Sequence, residues 1–132
     1  MPATQYDAII QAAIDARQRA YAKYSGYQVG AALLCSSGEI VTGCNVENAS
    51  YGLTLCAERV AIGSAVAQGH REFSAIAIAT ADGSAPCGAC RQVLAEFSPD
   101  LPILLGPLEP PGDVVITSLD LLLPRQFQFD KP

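Results

Sequence analysis

The sequence predicts an α/β fold, a three-layer α/β/α sandwich built on a mixed five-stranded sheet. Two observations lead to this prediction. Segments with helical and with strand-like apolar patterns alternate in the order helix, strand, strand, helix, strand, helix, strand, strand. Half of the 132 residues are hydrophobic and only 16% are charged, so the chain has enough apolar material for one buried core. Strands joined through helices favour a parallel arrangement, and an opening hairpin makes the sheet mixed.

The first helix is expected from about residue 4 to residue 23, because apolar residues recur there at three- and four-residue steps. The repeating positions are Ile9, Ala13, Ala16 and Ala20. Two strands are predicted next, over 28–35 and 39–46. The Ser-Ser-Gly link between them has the size and chemistry of a hairpin turn. A polar loop then leads to the second helix.

The second helix is predicted over 56–68, and Gly69 marks its end. After its first turn the segment is apolar almost all round, which is typical of a helix buried on more than one side. One side can pack on the sheet, and the other side needs a further cover. In so small a domain, a neighbouring subunit is a good candidate for that cover.

The third strand, 73–80 (FSAIAIAT), is apolar along nearly its whole length. That pattern favours a central position in the sheet, covered on both faces. A turn-rich loop follows this strand. The third helix is then predicted over 87–97, because Pro86 suits the start of a helix and Pro99 cannot continue one.

The last part of the chain predicts two short strands, over 101–105 and 113–117, on either side of a link rich in proline and glycine. A brief helical turn is expected to begin near Ser118 and to end at Pro124. The sequence contains no internal repeat, no low-complexity segment and no domain boundary. Residues 1–132 are therefore expected to form one domain.

Charge and hydropathy exclude two classes of partner. The net charge is −5 and no cluster of Lys and Arg offsets it, which argues against nucleic-acid binding. The longest apolar stretches are far shorter than the roughly 20 residues that cross a bilayer, so no membrane partner is expected. The first residues lack the basic start and apolar run of a signal peptide. A cytoplasmic protein is therefore expected.

The five cysteines direct attention to metal chemistry. An odd number of cysteines without an export signal favours metal ligands or small buried side chains over disulfides. The sharpest local pattern is 86–90 (PCGAC), where two thiols at a helix start can reach one metal ion. Alone, this pattern leaves open a redox pair, half of a structural zinc site, or two unrelated cysteines.

A second pattern, Cys56-Ala57-Glu58, lies 31 residues before Cys87. Cys-x-Glu followed by Pro-Cys-x-x-Cys is the pattern of zinc-dependent deaminases, in which the Glu is not a metal ligand. The combination predicts zinc held by Cys56, Cys87 and Cys90, with a fourth position open as catalytic zinc requires. Three further residues that resemble ligands are expected to have no such role: Cys35 and Cys44 as buried small side chains, and His70 as a solvated residue after the helix.

Two charged residues beside Cys56 have alternative interpretations. Glu58 is either an acid that stabilises the first turn of a helix or, beside three thiolates, a proton shuttle. Arg59 either forms a surface salt bridge or offsets the negative charge of the metal site, since Zn²⁺ with three thiolates sums to −1. The proton shuttle is preferred for Glu58, and the offset of charge beside the metal site is preferred for Arg59.

The chain resembles the short, homotetrameric, zinc-dependent cytidine deaminases over nearly its whole length. The matching segments are 21–34 (YAKYSGYQVGAALL), 43–50 (GCNVENAS), 56–59 (CAER), 86–93 (PCGACRQV) and 122–124 (LLP) with Phe127. The resemblance implies the same fold, one zinc ion per chain, and a homotetramer with shared active sites. It also implies hydrolytic deamination of cytidine and deoxycytidine to uridine and deoxyuridine with release of ammonia, a reaction of pyrimidine salvage.

The resemblance implies further site residues. Asn45 and Glu47 would hold the ribose hydroxyls, although the residues alone read as ordinary polar groups at a strand end. Ala57 would meet the base through its backbone. Tyr27 stands where the family usually has Phe beside the pyrimidine, and its extra hydroxyl needs a partner. Phe127 would reach a neighbour's site, or would equally well anchor the terminus in the core.

Other functions are left open by the residues. A deaminase of a cytosine-bearing antibiotic such as blasticidin S would share the three cysteines and the glutamate. A polynucleotide deaminase is disfavoured because it needs a cationic channel. A non-catalytic zinc-binding module is disfavoured by the open fourth position and by Glu58. A free nucleoside is preferred to a nucleotide because Glu47 would repel a phosphate.

Overall fold

The computed structural model describes residues 3–107, 113–127 and 129, and within these ranges it contains four α-helices and five strands. The elements in chain order are α1 (Ala3–Arg17), β1 (Gly30–Cys35), β2 (Ile40–Cys44), α2 (Ala57–Ala67), β3 (Phe73–Thr80), α3 (Gly88–Phe97), β4 (Pro102–Pro107), β5 (Val115–Ser118) and α4 (Leu119–Leu122). A short 3-10 turn, Tyr51–Leu53, precedes α2.

The sheet has the strand order β2-β1-β3-β4-β5. β3 and β4 pair in parallel, and every other neighbouring pair is antiparallel. Because β2 and β3 both run antiparallel to β1, the three strands joined through helices, β2, β3 and β4, point in one direction. The predicted mixed five-stranded sheet is confirmed.

Helices cover both faces of the sheet. One face of β1 and β3, represented by Leu33 and Ile76, packs with α2, α3 and α4 in the larger core. The opposite face packs with α1 through Ile9 and Ala13, and it is lined mainly by alanines. Ala75, Ala77 and Ala79 of β3 belong to this second layer. Because small side chains let a helix approach a sheet closely, α1 can pack nearer to the sheet than the helices on the opposite face, where the side chains are larger. The three-layer prediction is confirmed.

The first helix ends at Arg17, six residues earlier than predicted. The reason is a pairing with a distant segment. The Tyr21 backbone N–H donates to the Asn45 carbonyl at 2.9 Å, and the Glu47 N–H donates to the Tyr21 carbonyl at 2.9 Å. Extended backbone at Tyr21 is incompatible with a helix, and the chain then passes from Tyr21 toward Tyr27 beside the end of β2.

The predicted cover of α2 is only partly supplied by this chain. Ala57, Glu58, Ala61, Ile62 and Ala65 are buried. On the outer side, Gly63 and Ala67 are exposed and Val60 is half-buried.

Among the helices of the described ranges, none is long and apolar enough to span a membrane.

Candidate active site

The starts of two helices bring three cysteines together. Cys56 is the N-cap residue of α2, and Cys87 is the N-cap residue of α3. Cys90 lies in the first turn of α3, and its backbone N–H donates to the Cys87 sulfur at 3.4 Å. The Sγ atoms are 4.0 Å apart for Cys56 and Cys87, and 3.3 Å apart for Cys87 and Cys90. All three sulfurs lie within 4.8 Å of one another.

This geometry fits a zinc ion. Sulfurs at the corners of a tetrahedron with Zn–S bonds of about 2.3 Å lie roughly 3.8 Å apart, a value between the 3.3 Å and 4.0 Å separations found here. Both helices direct their positive N-terminal ends toward the cluster, which favours the thiolate form that binds metal. Cys35, in β1, is buried, and Cys44, in β2, is half-buried. Neither belongs to the cluster, so the ligand set within the described ranges is Cys56, Cys87 and Cys90.

Negative charge concentrates on one of the three sulfurs. The pKa of Cys56 is lowered to about 5, first by a hydrogen bond from Cys90, and further by the hydrogen bond and charge of Arg59. The pKa of Cys90 is raised, because this thiol donates to Cys56 and is buried. Neighbouring thiols thus compete for ionisation, and a divalent cation among them relieves that competition.

Arg59 places a positive charge against the cluster. Its Nη2 lies 3.4 Å from the Cys56 sulfur and 3.4 Å from the Thr54 carbonyl oxygen. Its Nε is buried and has no hydrogen-bond partner among the residues that the structure describes. Within the described ranges, the guanidinium contacts the Cys56 sulfur and the Thr54 carbonyl and forms no salt bridge with a carboxylate. Its charge is thus placed where an offset of the negative charge of the cysteines was predicted.

Glu58 is almost completely buried, with 5% of its surface exposed, in the first turn of α2. Burial raises the pKa of its carboxyl above the ordinary 4.5, and the charge of Cys56 raises it further. A carboxylate in this position accepts a proton more readily than one in water. Glu58 also lines the same cavity as Cys56 and Cys87, as proton transfer requires.

Gly43 allows α2 to approach β2 closely. A Cβ atom at this position would lie 2.5 Å from the Ala57 carbonyl oxygen and 2.5 Å from the Ala61 nitrogen. No side chain fits in that space, so the first turn of α2, which carries Glu58, lies directly on the backbone of β2. The sequence contains a glycine here without any signal of this role, because the contact depends on how a distant helix packs.

A cavity of about 360 Å³ opens beside the three sulfurs. Its size lies in the usual range for small-molecule sites, about 300–1,000 Å³. The lining includes Tyr27, Asn45, Glu47, Ala57, Glu58 and Cys87. Sequence-predicted residues from four separate segments thus meet around one pocket, and the surface of that pocket is mainly apolar.

Asn45 and Glu47 already have partners within the chain. The Asn45 side chain accepts from the Val29 N–H at 2.9 Å and donates to the Tyr27 carbonyl at 2.9 Å. Glu47 accepts from the backbone of Tyr24 and Ser25 and from the Ser25 hydroxyl. These bonds lower the pKa of Glu47, with the Ser25 hydroxyl as the largest cause. Both residues shape the pocket wall.

Two predicted residues lie away from the cysteines. Phe127 is 67% exposed and is not in the lining of the cavity in its own chain. His70 follows α2, and its Nε2 lies 3.2 Å from Glu39 Oε2, outside the cysteine cluster. Its side chain is only 16% exposed, so the predicted solvated position is wrong: the contact with Glu39 holds it against the protein.

Sequence reasoning missed two neighbours of the site. Asp82 lies in the loop after β3, and one of its carboxylate oxygens accepts a hydrogen bond from Tyr27. Ser25 binds Glu47. The only available signal was the tyrosine at position 27, whose hydroxyl needs a partner. Nothing in the sequence identifies a partner that lies 55 residues away.

Comparison with known proteins gives a consistent result. A family model described as the cytidine and deoxycytidylate deaminase zinc-binding region matches residues 3–104. A cytidine deaminase of Halalkalibacterium halodurans is 49% identical over 122 residues, covering 90% of this chain and 91% of that protein. The crystal structure of a cytidine deaminase from Burkholderia pseudomallei superposes with a TM-score of 0.88 at 50% identity, covering 92% of this chain and 98% of that one.

A more distant relative acts on a different molecule. A blasticidin-S deaminase of Bacillus cereus is 32% identical over 111 residues, covering 76% of this chain and 77% of that protein. The cytidine deaminase of Halalkalibacterium halodurans is more similar to this chain in both identity and coverage.

Proposed function

The chain belongs to the family of zinc-binding cytidine and deoxycytidylate deaminases, and from this membership we propose that Glu58 moves the protons of the reaction. Deamination of cytidine is the activity of the enzyme, and zinc is its cofactor. The observation that carries the proposal is the buried carboxyl of Glu58, with its raised pKa, in the cavity that Cys56 and Cys87 line.

The proposed mechanism assigns three proton movements to Glu58. Zinc held by Cys56, Cys87 and Cys90 would lower the pKa of a bound water molecule from about 15.7, its value in bulk water, toward neutrality. Glu58 accepts a proton from that water and delivers it to N3 of the cytosine ring. C4 becomes electrophilic, and the water oxygen bonds to it. Glu58 carries the remaining proton to the amino group, which leaves as ammonia, and the product is uridine.

The nucleoside is proposed to lie with its sugar toward Asn45 and Glu47. Glu47 is held in place by Ser25 and ionised, so its lone pairs can accept from sugar hydroxyls. The same charge would repel a 5′-phosphate, which favours a nucleoside over a nucleotide. Ala57 is proposed to meet the base through its backbone. Deoxycytidine is proposed as a second substrate, because the contacts with the base are the same for both nucleosides.

A homotetramer with shared active sites is proposed from the surface of this chain. Apolar side chains are exposed in the segment before α2, on β5 and after α4: Tyr51, Leu53, Leu55, Val115, Ile116 and Phe127. Exposed apolar surface of this extent marks an interface, and the outer side of α2 also needs a cover. Phe127, outside the cavity of its own chain, is proposed to enter the cavity of a neighbour. Reduced thiolate ligands suit a reducing compartment, so we place the enzyme in the cytoplasm.

The test combines metal analysis with turnover. The purified enzyme is expected to hold one zinc per chain and to convert cytidine to uridine, followed by ultraviolet absorbance and ammonia release. Blasticidin S is the comparison substrate, since one relative carries that activity. Faster ammonia release from blasticidin S would assign the antibiotic as substrate. One zinc per chain without turnover of either compound would indicate a binding module.

A further inference from the structure

We propose that Asp82 holds the Tyr27 ring in place as one wall of the pocket, so that this pair determines how tightly a pyrimidine nucleoside binds. The Tyr27 hydroxyl donates to Asp82 Oδ1 at 2.7 Å, across 55 residues of sequence. Tyr27 precedes β1, and Asp82 lies in the loop that leads from β3 to Cys87. The proposal rests on the proposed function in that it takes this cavity as the nucleoside site.

Asp82 is held in position by hydrogen bonds within its own loop, independently of Tyr27. The same Oδ1 atom accepts from the Ser84 hydroxyl at 2.7 Å, from the Ser84 backbone N–H at 3.2 Å and from the Thr80 hydroxyl at 3.2 Å. The Thr80 oxygen in turn accepts from the Gly83 N–H at 2.8 Å. The loop is therefore folded around one carboxylate oxygen, and that oxygen is a stationary acceptor for the tyrosine.

The other end of Tyr27 is fixed by its backbone. Its N–H donates to the Ser25 hydroxyl at 2.9 Å, and its carbonyl accepts from the Asn45 amide at 2.9 Å. Ser25 is bound to Glu47, so the backbone of Tyr27 is tied to the residues proposed to face the sugar. With backbone and hydroxyl both held, the ring has one position rather than several.

Packing alone would not hold this ring. Tyr27 is 38% exposed at the edge of the cavity, and an exposed side chain moves between rotamers on a nanosecond scale. The hydrogen bond to Asp82 selects one of those rotamers in advance. A ring that is already in place when the nucleoside arrives loses no further freedom on binding, which raises affinity. Asp82 is thus a positioning residue, acting through Tyr27.

The test measures binding and turnover separately. The variants are Tyr27→Phe, which keeps the ring and removes the donor, and Asp82→Ala, which removes the acceptor. In each, the KM for cytidine and the Kd for uridine are expected to rise about threefold to tenfold, the factor for one net hydrogen bond. The kcat is expected to stay within about twofold, because the ring is equally held in ground and transition states.

Two comparisons make the test specific. The double variant should bind no more weakly than the weaker single variant, since both changes break one interaction. Asp82→Asn retains an acceptor oxygen and should recover most of the affinity that Asp82→Ala loses. Tyr6→Phe removes a tyrosine hydroxyl on α1, away from the cavity, and should leave the KM and Kd unchanged. Zinc content and melting temperature are measured for every variant.

The outcomes separate this proposal from the proposed function. A wild-type enzyme with zinc but without cytidine turnover would overturn the proposed function. Wild-type turnover with unchanged KM and Kd in Tyr27→Phe would overturn the role of the pair alone. Effects of the two single changes that multiply in the double variant would also overturn it. If Asp82→Ala loses zinc through a disturbed loop, Tyr27→Phe still decides the question.

Discussion

The two faces of the sheet are covered by helices that approach in the same way but have different roles. On one face, Gly30 lies against α1, and a Cβ there would be 2.0 Å from the Ala13 carbonyl oxygen. On the other face, Gly43 lies against α2, and a Cβ would be 2.5 Å from the Ala57 carbonyl oxygen. The packing device is the same. Only the second helix brings the proposed proton carrier, Glu58, to the cavity.

The two faces of the sheet also differ in the charged groups that lie on them. On the α1 face, the buried residues are apolar, and Arg17 extends along the edge to donate to the Gln28 carbonyl at 2.8 Å. On the α2 face, a carboxyl is buried beside a thiolate, and its pKa is raised as a result. Burying an ionisable group costs stability, and the nearby charge of Arg59 offsets only part of that cost for Glu58. We therefore expect the α1 face to contribute mainly stability, and the α2 face to give up some stability for the proposed proton transfer by Glu58.

The largest expected difference between the faces comes from Glu58→Gln. The amide keeps the shape of the side chain but cannot accept or carry a proton. We expect kcat to fall by at least about 10²- to 10⁴-fold, the usual contribution of general acid–base catalysis. Zinc content should stay at the wild-type level, because Glu58 is not a ligand in the proposed site. The measurement is steady-state deamination of cytidine with metal analysis of the same sample.

The matched change on the other face is Ile9→Ala. Ile9 is fully buried against the sheet, so its truncation should lower the free energy of unfolding by about 2–5 kcal/mol. Below the melting temperature, kcat should be close to wild type. A large loss of kcat in a folded Ile9→Ala protein would contradict the division of roles between the faces.

Arg59, on the α2 face, and Arg17, on the α1 face, give the next largest contrast. Arg59→Gln removes the positive charge beside Cys56 and should weaken zinc affinity about 10- to 100-fold, as loss of a residue that supports a metal ligand usually does. Arg17→Gln removes a charge on the α1 side and should leave zinc affinity unchanged. Competition with a coloured chelator measures both affinities. Equal zinc affinities in the two variants would show that the charge of Arg59 has no effect on the metal site.

Much of the α2 face was predictable from sequence. The cysteines and Glu58 stand at fixed spacing beside helix starts, and a helix start is a local feature with a local signal. The end of α1 was not predictable, because Tyr21 leaves the helix to pair with residues near Asn45. The bond between Tyr27 and Asp82 was not predictable either, because it joins segments that only the finished sheet brings together.

A smaller contrast comes from the two glycines. Gly43→Ala and Gly30→Ala should each destabilise the fold by about 1–3 kcal/mol, because each places a methyl group against helix backbone. Only Gly43→Ala moves the first turn of α2, so only this variant should lose kcat, by about 10-fold for a shift of a fraction of an ångström. Urea unfolding and turnover of the folded fraction measure the two effects. Equal losses of kcat would show that the site tolerates no movement on either face.

The smallest expected effect concerns pH. The contribution of the Tyr27–Asp82 hydrogen bond to nucleoside binding should not change with pH near neutrality. The hydrogen bond from Tyr27 is the largest cause that lowers the pKa of Asp82, from the ordinary 3.8 to about 2. A carboxylate with a lowered pKa contributes its interaction above its ordinary pKa and loses it only as the pH falls through the lowered value. Glu47, the other carboxylate bound to this wall through Ser25, is shifted in the same direction. The ratio of uridine Kd values between Tyr27→Phe and wild type should therefore be constant from about pH 5 to about pH 8. Calorimetric titration at several pH values measures it. If the ratio approached one as the pH was lowered within this range, Asp82 would be losing its charge there, and its donors would not be holding it ionised. The Tyr27 wall of the pocket would then be as mobile as an ordinary loop.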